Sequence, residues 1–475
     1  MSQRIEADFV VVGAGSGGLN VAAATSQLGL RTVLVEGHLM GGDCLNFGCV
    51  PSKALLAAGN AAMAGRRAAA FGIDYDPPRI DMGRVRDHVR AVIAAIEPHD
   101  SQARFEGLGV RVIRAPGRFV APTRLRAGEQ EIEAKRFCVA TGSLPLVPRI
   151  DGLDRVAYRT NLDIFDLDRL PDHLLILGGG AVGTELGQAF RRLGAKVTII
   201  EMAVLLGRDD PELVEVLRRS LGREGIAIRE GAKVVAVEPA AAGIRLAVET
   251  AGGREWIEGS HLLVAAGRRP AIEGLDLAAA GIAVGPQGIL IDRHCRSSNA
   301  RVYAIGDVTG GPQFTHWASH QAGVVVRNAL FRLPAKWDRR AFPWVTYTDP
   351  ELAQVGMTEA EARAQGIADL RIGRWPFAEN DRAEAERRTA GFIKILARPN
   401  GRILGVGIVG AHAGEVVHSW GLAIAAGLTV KKFTEMITAY PTFADVSKRV
   451  AGGFYADRLF NDRTRALVRF LWRFA

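Results

Sequence analysis

Aromatic residues are scarce in this sequence of 475 residues. They make up only 7% of the chain, so we expect no surface on which nucleic-acid bases stack. The net charge of +9 suits nucleic acid or anionic lipid, but no recognised nucleic-acid motif accompanies it. The composition therefore predicts no nucleic-acid partner.

A long uncharged apolar run is also missing. None reaches the roughly 18 residues that a membrane-spanning helix needs, and the first residues enter a predicted strand at once, which leaves no room for a signal peptide. Only four cysteines occur, namely Cys44, Cys49, Cys138 and Cys295. Cys138 lies in an apolar strand pattern, which predicts a core position, and Cys295 belongs to no motif. We therefore expect a protein of the reducing cytoplasm, without permanent disulfides and without a resident metal site.

What the sequence does contain is a motif around Cys44 and Cys49. They lie in the segment GGDCLNFGCVPSKAL with four residues between them. Two thiols at this spacing form a disulfide if the intervening turn bends them together. Without a secretion signal such a pair is more often catalytic than structural. Two buried free cysteines are the alternative, but the glycines, Pro51 and Lys53 form a longer pattern that packing does not require.

A glycine-rich phosphate cradle occupies residues 7–36. The pattern is a strand, the turn Gly13-x-Gly15-x-x-Gly18, an alanine-rich helix and a second strand that ends at Glu36. Backbone N–H groups and the helix dipole at such a turn receive a pyrophosphate. Glu36 follows Gly18 by 18 residues, where a carboxylate accepts hydrogen bonds from a ribose.

The same pattern recurs at residues 174–201. The turn Gly178-x-Gly180-x-x-Gly183 follows a strand, and Glu201 again comes 18 residues after the last glycine. One such turn is weak evidence, since ordinary βα connections are also rich in glycine. Two copies with the same spacing predict that the chain binds two dinucleotides.

The acidic residue of the second copy predicts the nucleotide that binds there. A carboxylate such as Glu201 bonds the 2′-hydroxyl of NAD and repels the 2′-phosphate of NADP. The next residues, Met202, Ala203 and Val204, supply no compensating cation. NAD(H) is therefore predicted over NADP(H).

With the two cradles and the cysteine motif, residues 7 to about 455 resemble the flavin-dependent pyridine nucleotide–disulfide oxidoreductases, which include dihydrolipoamide dehydrogenase and mercuric reductase. Four further motifs carry the resemblance, namely Ala140-Thr141-Gly142, Ala266-Gly267-Arg268, Tyr303-Ala-Ile-Gly306-Asp307 and Tyr347-Thr-Asp-Pro350-Glu351. The resemblance implies an α/β fold with two Rossmann-like dinucleotide-binding domains plus a C-terminal α+β interface domain that forms a homodimer. The implied segments are a FAD-binding domain at 1–150, an NAD(H)-binding domain at 151–272, a FAD-binding return segment at 273–340, an interface domain at 341–460 and a basic amphipathic tail at 461–475.

The resemblance also implies the cofactors, FAD and NAD(H), and the residues that hold them. These are Gly13, Gly15, Ser16, Gly18, Glu36, Gly42, Lys53, Thr141, Gly142, Gly178, Gly180, Gly183, Glu201, Gly267, Gly306, Asp307, Thr315 and His316. His316 is a candidate substitute acid or base near the flavin. The alternative, a helix residue bonded to backbone, is favoured.

Four residues receive catalytic roles by the same resemblance. Cys49 is the thiol beside the flavin, Cys44 is the exchange thiol that attacks the substrate, and Lys53 lies near the flavin with Glu185 as its partner. An exposed helix lysine is the alternative for Lys53. For Glu185 the alternative is an ordinary glutamate near a helix start.

A histidine that the disulfide-reducing relatives carry near the C-terminus is missing. Tyr440 stands in its place and Asp445 in the place of the glutamate that orients it. Because tyrosine has a pKa of about 10, it is a poor base at neutral pH, but it can donate a hydrogen bond or lie beside a metal–thiolate. Tyr440 and Asp445 are therefore further candidates for catalytic roles. Tyrosine at this position resembles mercuric reductases, yet no cysteine follows Cys295, so their C-terminal cysteine pair is absent.

A basic tail ends the sequence. Arg465, Arg469 and Arg473 repeat every four residues among apolar side chains in the segment 463–474. Such a helix suits the surface of an anionic membrane, on its cytoplasmic face. A terminal helix that packs on the dimer is the alternative.

Two functions follow from these features. The first is a FAD-dependent NAD(P)H oxidoreductase that passes electrons through a Cys44–Cys49 disulfide to a small-molecule disulfide or a thiol-bound metal ion. The alternative is a membrane-docked flavoprotein that transfers electrons to a protein or quinone partner.

Overall fold

A computed structural model describes residues 3–241 and 243–475 of the chain. The helices are α1 (Ser16–Gln27), α2 (Gly42–Asn46), α3 (Cys49–Ala68), α4 (Met82–Asp100), α5 (Gln102–Gly107), α6 (Ala181–Leu193), α7 (Pro211–Arg223), α8 (Thr315–Phe331), α9 (Glu359–Ala364), α10 (Asp381–Ala385), α11 (Ala413–Ala425), α12 (Lys431–Glu435), α13 (Asp445–Leu459) and α14 (Asp462–Leu471).

The strands complete the element order. They are β1 (Gln3–Val12), β2 (Thr32–Val35), β3 (Arg111–Ile113), β4 (Gly117–Ala121), β5 (Arg124–Ala127), β6 (Gln130–Val139), β7 (Ser143–Pro145), β8 (His173–Leu177), β9 (Lys196–Ile200), β10 (Ala227–Arg229), β11 (Lys233–Ala240), β12 (Gly243–Thr250), β13 (Gly253–Gly259), β14 (His261–Val264), β15 (Arg268–Pro270), β16 (Val284–Gly285), β17 (Gly288–Ile289), β18 (Val302–Ala304), β19 (Pro343–Thr346), β20 (Glu351–Gly356), β21 (Arg371–Pro376), β22 (Phe392–Ala397) and β23 (Ile403–Gly410).

The chain divides into two compact units. The first comprises the residues up to Gly65, Asp76–Met202 and Gly231–Trp337, and the second comprises Arg66–Tyr75, Ala203–Glu230 and Asp338–Ala475.

The largest sheet of the first unit is built around β1. Its strand order is β3-β2-β1-β6-β5-β4, with β18 pairing β6, and β1 is parallel to both neighbours. Residues Phe9 to Val12 are all buried, as expected for a strand covered on both faces. The connection from β1 to the parallel β2 runs through α1, so the first predicted βαβ unit is confirmed.

A second parallel arrangement in the first unit follows the same plan. β8 pairs β9 and β14 in parallel, and α6 connects β8 to β9. Leu174, Leu175 and Ile176 are fully buried in its centre. The antiparallel sheet β11-β12-β13 shares a core with this parallel sheet, in which Leu246 and Val248 pack with Leu175 of β8 and Val264 of β14. The second predicted βαβ unit is therefore also confirmed.

The second unit is built on an antiparallel sheet with the order β19-β20-β23-β22-β21. Apolar side chains of this sheet and of α11 and α13 form one core, in which Trp420 stacks on Phe433. This sheet with its helices has the α+β character expected of the interface domain, and the predicted α/β fold class is confirmed.

The domain boundaries remain predictions. The expected NAD(H)-binding domain at 151–272 contains 203–230, a segment that groups with the second unit. Among the residues described, no helix combines the length and the apolar character needed to cross a bilayer.

Candidate active site

The two motif cysteines lie on neighbouring helices. Cys44 is in α2, and Cys49 is the first residue of the 20-residue helix α3. Both are free thiols, and their side chains are close enough for a hydrogen bond between them. Sγ of Cys49 also lies 3.4 Å from Oγ1 of Thr315, the first residue of α8. The structure thus brings together three predicted site residues from distant parts of the sequence.

The surroundings of Cys49 favour its thiolate. The hydrogen bond from Cys44 lowers the pKa of Cys49 to about 6 against the opposing effect of burial, and Thr315 and the positive charge of Lys53 add to the lowering. For Cys44, the hydrogen bond to Cys49 and burial raise the pKa of the thiol. A proton shared by the pair therefore resides on Cys44 and the negative charge on Cys49, at the positive end of α3.

Lys53 and Glu185 form the second pair of the site. Nζ of Lys53 donates a hydrogen bond of 2.7 Å to Oε2 of Glu185. The side chain of Glu185 is only 6% exposed, whereas that of Lys53 is 38% exposed. Because Lys53 follows Cys49 by one turn of α3, its ammonium lies on the same face of the helix as the thiol. The lysine–glutamate contact that the resemblance implies is present.

The first glycine turn leaves space for a pyrophosphate. Gly13 has a φ of +105°, and a Cβ on Gly13 or on Gly18 would overlap a backbone carbonyl oxygen, so both glycines are needed for the turn itself. Gly15 differs, since a Cβ there would meet no atom within 4 Å. Its backbone borders open space at the N-terminus of α1, where a phosphate is favoured. The cradle therefore fits a dinucleotide.

The second glycine turn repeats this geometry. Gly178 has a φ of +113° and lies against a backbone carbonyl, as does Gly183, while a Cβ on Gly180 would again meet nothing within 4 Å. The turn leads into α6, as the first leads into α1. Gly15 and Gly180 therefore both border open space in which a pyrophosphate would fit.

The acidic residues of both copies also contact their turns. Oε2 of Glu36 accepts a hydrogen bond of 2.6 Å from the N–H of Ala14, and Oε2 of Glu201 accepts one of 2.7 Å from the N–H of Gly179. Each carboxylate thereby holds the glycine turn against the end of the second strand. This contact is additional to the ribose contact that the sequence predicts.

Asp307 belongs to a polar cluster that sequence analysis did not identify. Its Oδ2 accepts a hydrogen bond of 2.6 Å from Ser143, and burial raises the pKa of its carboxyl group. Arg268 donates from Nε to Ser143 at 2.7 Å, and its Nη2 lies 3.1 Å from Oδ1 of Asp43. Asn161 donates to the same oxygen of Asp43 at 3.0 Å. Asp43 and Arg268 lie in sequence motifs, the first beside Cys44 and the second after Gly267, whereas Ser143 and Asn161 lie outside them.

The remaining predicted cofactor residues lie around these groups. Oγ of Ser16 donates to the carbonyl of Thr315, Oγ1 of Thr141 donates to the carbonyl of Ala271, and the N–H of Gly306 donates to Gln321. Gly42 lies close to the backbone of Gly15, and Gly142 accepts a hydrogen bond at its carbonyl.

Two predicted cofactor residues remain, Gly267 beside a small cavity and His316 near the start of α8. Gly267 and Val182 line a small cavity of about 50 Å³ together with Arg268. His316 is on α8, with its ring 5.4 Å from that of Phe314, and its role near the flavin remains a prediction.

Tyr440 and Asp445 lie in the second unit, where each has a local partner. The hydroxyl of Tyr440 donates a hydrogen bond of 2.5 Å to Oδ2 of Asp381, which raises the pKa of the tyrosine. Oδ2 of Asp445 accepts a hydrogen bond of 3.0 Å from Arg449. Their catalytic roles remain predictions.

The basic tail is helical. None of the residues of α14 is buried, and the exposed side chains of the tail include Leu467, Phe470 and Trp472. A cavity of about 370 Å³ lies along the helix, between Phe460 and Arg469.

These features define a class of protein with two dinucleotide cradles and a dithiol at a helix N-terminus. Residues 7–322 match the sequence model of the pyridine nucleotide-disulphide oxidoreductases, and residues 342–451 match the dimerisation domain of the same family. The chain belongs to the class I pyridine nucleotide–disulfide oxidoreductases, so it is a FAD-dependent enzyme of a homodimeric family.

Named relatives include two kinds of enzyme. The chain is 36% identical over 462 residues to a mercuric reductase of Streptomyces lividans, a match that covers 95% of this chain and 96% of the relative. It is 33% identical over 455 residues to a dihydrolipoyl dehydrogenase of Geobacillus stearothermophilus, covering 94% and 96%. The general reaction is therefore that of this family.

A solved structure has the same fold. The Cu(II) complex of the HOCl-induced flavoprotein disulfide reductase RclA from Escherichia coli superposes with a TM-score of 0.83 at 27% identity, covering 93% of this chain and 99% of that one.

Proposed function

We propose that the enzyme uses NADH to reduce a small-molecule disulfide or a thiol-bound metal ion through Cys44 and Cys49. The observation that carries this proposal is the pair of free thiols at Cys44 and Cys49, with the thiolate favoured at Cys49, whose sulfur lies 3.4 Å from Oγ1 of Thr315. A pair held in this way is matched to dithiol–disulfide exchange, because one sulfur leaves as a thiolate while the other keeps a proton.

The residues of the site have separate roles in this reaction. The first glycine turn, open at Gly15, would hold FAD, which would supply electron-pair transfer from NADH to a disulfide. Overall, the hydride of NADH supplies two electrons and one proton, so the sulfur–sulfur bond breaks to leave a thiol at Cys44 and a thiolate at Cys49. Lys53, held by Glu185, places a positive charge beside this reaction, and Thr315 donates to the thiolate.

Features of the chain and its relatives bear on the electron acceptor. Tyr440 has a raised pKa and is no base at neutral pH, so proton-coupled turnover of a disulfide lacks the usual shuttle. A metal ion bound to two thiolates needs no such shuttle. Relatives named mercuric reductase and a Cu(II) complex of a similar fold support a thiol-bound metal ion as an acceptor. The disulfide remains the alternative acceptor.

Anaerobic reduction by NADH followed by single acceptors tests this function. The purified holoprotein would be reduced and then mixed with oxidised lipoamide, glutathione disulfide or a Hg(II)–thiol complex. We expect reoxidation by at least one of them, loss of that reoxidation in Cys44→Ser and loss of the long-wavelength absorbance of the reduced protein in Cys49→Ser. Reoxidation that persists in both variants would place the dithiol outside the electron path and overturn the proposal.

We also propose NADH as the preferred donor at the second cradle. Glu201 supplies a carboxylate there, and its hydrogen bond to the N–H of Gly179 holds it beside the turn. In Glu201→Gln the amide oxygen still accepts from Gly179 while the charge is lost, so the ratio of kcat/KM for NADH over NADPH should fall. Equal kcat/KM values for the two donors in the unaltered protein would contradict this preference.

A second function, docking to an anionic membrane on its cytoplasmic side and electron transfer to a protein or quinone partner there, is favoured by one observation. The helix α14 carries exposed apolar side chains beside Arg465 and Arg469 and buries none of its residues within the described chain. Deletion of 463–475 should abolish co-sedimentation with anionic vesicles and leave NADH-dependent reduction of small acceptors unchanged. Co-sedimentation that survives the deletion would exclude this role for the tail.

A further inference from the structure

Asp43 is a charged residue directly beside the dithiol. It precedes Cys44 in α2, and its side chain is 36% exposed. Oδ1 accepts a hydrogen bond of 3.0 Å from Nδ2 of Asn161 and lies 3.1 Å from Nη2 of Arg268. Asn161 also donates to the carbonyl of Phe47, so the carboxylate is fixed against the turn that joins the two cysteines. Asp43 is therefore a held charge rather than a freely moving surface group.

Arg268 connects this carboxylate to a second one. Its side chain is only 17% exposed and donates to Ser143 twice, from Nε to Oγ at 2.7 Å and from Nη2 to the carbonyl at 2.9 Å. Nε also lies 3.9 Å from Oδ2 of Asp307, which accepts from Ser143. One guanidinium thus lies between Asp43 and Asp307 and offsets only part of their combined charge. The charge that remains at Asp43 acts on the neighbouring sulfurs.

Charges of both signs act on Cys49. Lys53 on α3 favours its thiolate and Asp43 on α2 opposes it, and the Asp43 carboxylate has the same sign of effect on Cys44. Thr315, the first residue of α8, contributes a hydroxyl, with His316 next to it in sequence. Among these groups, Asp43 is the one whose negative charge opposes the thiolate that reduction creates.

We propose that the Asp43–Arg268 ion pair tunes the dithiol, with Asp43 as a positioning residue that restrains the thiolate at Cys49 and Arg268 limiting that restraint. Since reduction of the disulfide leaves one negative charge on Cys49, a nearby carboxylate disfavours the reduced form and makes the dithiol a stronger electron donor to its acceptor. Moving the guanidinium away from Asp43 strengthens this effect. The inference rests on the proposed thiolate at Cys49 and is independent of which acceptor the enzyme uses.

The pH dependence of thiol alkylation measures this charge directly. The reduced full-length holoprotein would be treated with iodoacetamide from pH 4.5 to 9, and the modified sulfur located by peptide fragmentation. We expect the midpoint for Cys49 to fall by about 1 pH unit in Asp43→Asn and to return toward the original value in Asp43→Glu. The matched control is Asp168→Asn, which removes one exposed carboxylate of the same unit and should leave the midpoint unchanged.

A second variant, Arg268→Gln, keeps the proposal testable if Asp43→Asn does not fold. Arg268→Gln should shift the midpoint upward, because Asp43 then acts without its counter-charge. A midpoint that stays the same or rises in Asp43→Asn, or that falls in Arg268→Gln, would overturn the tuning role. If the unaltered protein reduces none of the three acceptors but the midpoint shifts as expected, the proposed function fails and the ion-pair inference stands.

Discussion

Oγ1 of Thr315 lies 3.4 Å from Sγ of Cys49, so the first residue of α8 meets the first residue of α3. The N-terminus of α3 bears a partial positive charge at the sulfur, and the threonine adds a hydroxyl donor. These effects act with the hydrogen bond from Cys44 to stabilise a thiolate near neutral pH. The contact gives the sulfur an environment that a cysteine in a core lacks.

Thr315→Val should weaken this stabilisation. A hydrogen bond to a charged group contributes about 1.5 kcal/mol, so loss of the hydroxyl should raise the pKa of Cys49 from about 6 by about 1 unit. Because a thiolate is lost as the pH falls through the pKa, the variant should lose it at a higher pH. The ultraviolet absorbance of the thiolate, titrated in the reduced protein, checks this.

Ser319→Ala is the matched control for Thr315→Val. It removes a hydroxyl one turn further along α8, where the serine donates to the carbonyl of Thr315. Its titration should coincide with that of the unaltered protein. Equal titrations of all three proteins would show that Thr315 does not donate to Cys49.

Lys53→Met should slow reduction of the bound flavin by NADH by about 100-fold, as removal of one preorganised charge or donor typically does. The lysine is held by Glu185 at 2.7 Å, so Glu185→Gln should have a smaller effect of the same sign. Stopped-flow absorbance under anaerobic conditions measures both rates. Lys336→Met removes an exposed lysine of the same unit and should react at the original rate. A Lys53→Met rate within twofold of the Lys336→Met rate would contradict a role of Lys53 in flavin reduction.

The glycine turns were predictable because their signals are local. The strand, the three glycines, the helix and the acidic residue of the first copy all fall within residues 7–36, and the second copy repeats them. Each residue type answers a need of the turn itself, such as the positive φ at Gly13 and Gly178. Short-range requirements of this kind leave a readable pattern.

Long-range side-chain contacts left no such pattern. The contact of Lys53 with Glu185 was available only through the family resemblance, and that of Asp43 with Arg268 was missed. The sequence around Asp43 does not indicate which distant arginine packs against α2. Residues 203–230 group with the second unit, where Lys394 of β22 binds Asp210 at the start of α7, and this contact likewise has no local sequence signal.

Gly15→Ala and Gly180→Ala should separate the two nucleotide sites. A Cβ at either position meets no protein atom within 4 Å, so both variants should fold, yet each methyl group occupies space that a pyrophosphate needs. Gly15→Ala should retain less FAD after purification. Gly180→Ala should keep FAD and show a KM for NADH raised by about tenfold or more, an effect of about 1.4 kcal/mol.

Flavin absorbance, NADH kinetics and the thermal midpoint of each glycine variant check this prediction. Gly231→Ala is the control, because a Cβ there also meets open space but Gly231 is not part of a glycine turn. Since Gly231 has a φ of +59°, the thermal midpoint of this variant includes a loss from backbone strain. Full FAD content in Gly15→Ala together with normal NADH kinetics in Gly180→Ala would contradict both cradles.

Replacement of Lys394 should destabilise the fold more than replacement of any other charged residue of the second unit. Its Nζ lies within 2.8 Å of three carboxylates, those of Asp210, Glu212 and Glu359, and the side chains of Lys394 and Asp210 are only 3% exposed. Asp210 also caps α7 by accepting from the N–H of Glu212. Removal of the lysine leaves a buried carboxylate without its cation, so Lys394→Met should lower the free energy of unfolding by about 3 kcal/mol.

The pH dependence gives Lys394→Met a second signature. Hydrogen bonds from Arg374 and then Lys394 lower the pKa of Glu212 to about 2, below its unfolded value. A depressed carboxyl pKa stabilises the fold above the unfolded value of about 4.3, and this contribution is lost as the pH falls toward 2. Urea unfolding of the full chain should therefore show a shallower loss of stability between these limits in the variant.

Two further variants serve as rescue and control. Because Asp210→Asn removes the uncompensated charge, adding it to Lys394→Met should recover part of the lost stability. Lys431→Met removes a lysine from an exposed ion pair and should change the stability little. A Lys394→Met protein within 0.5 kcal/mol of the original would mean that the three carboxylates do not depend on this lysine.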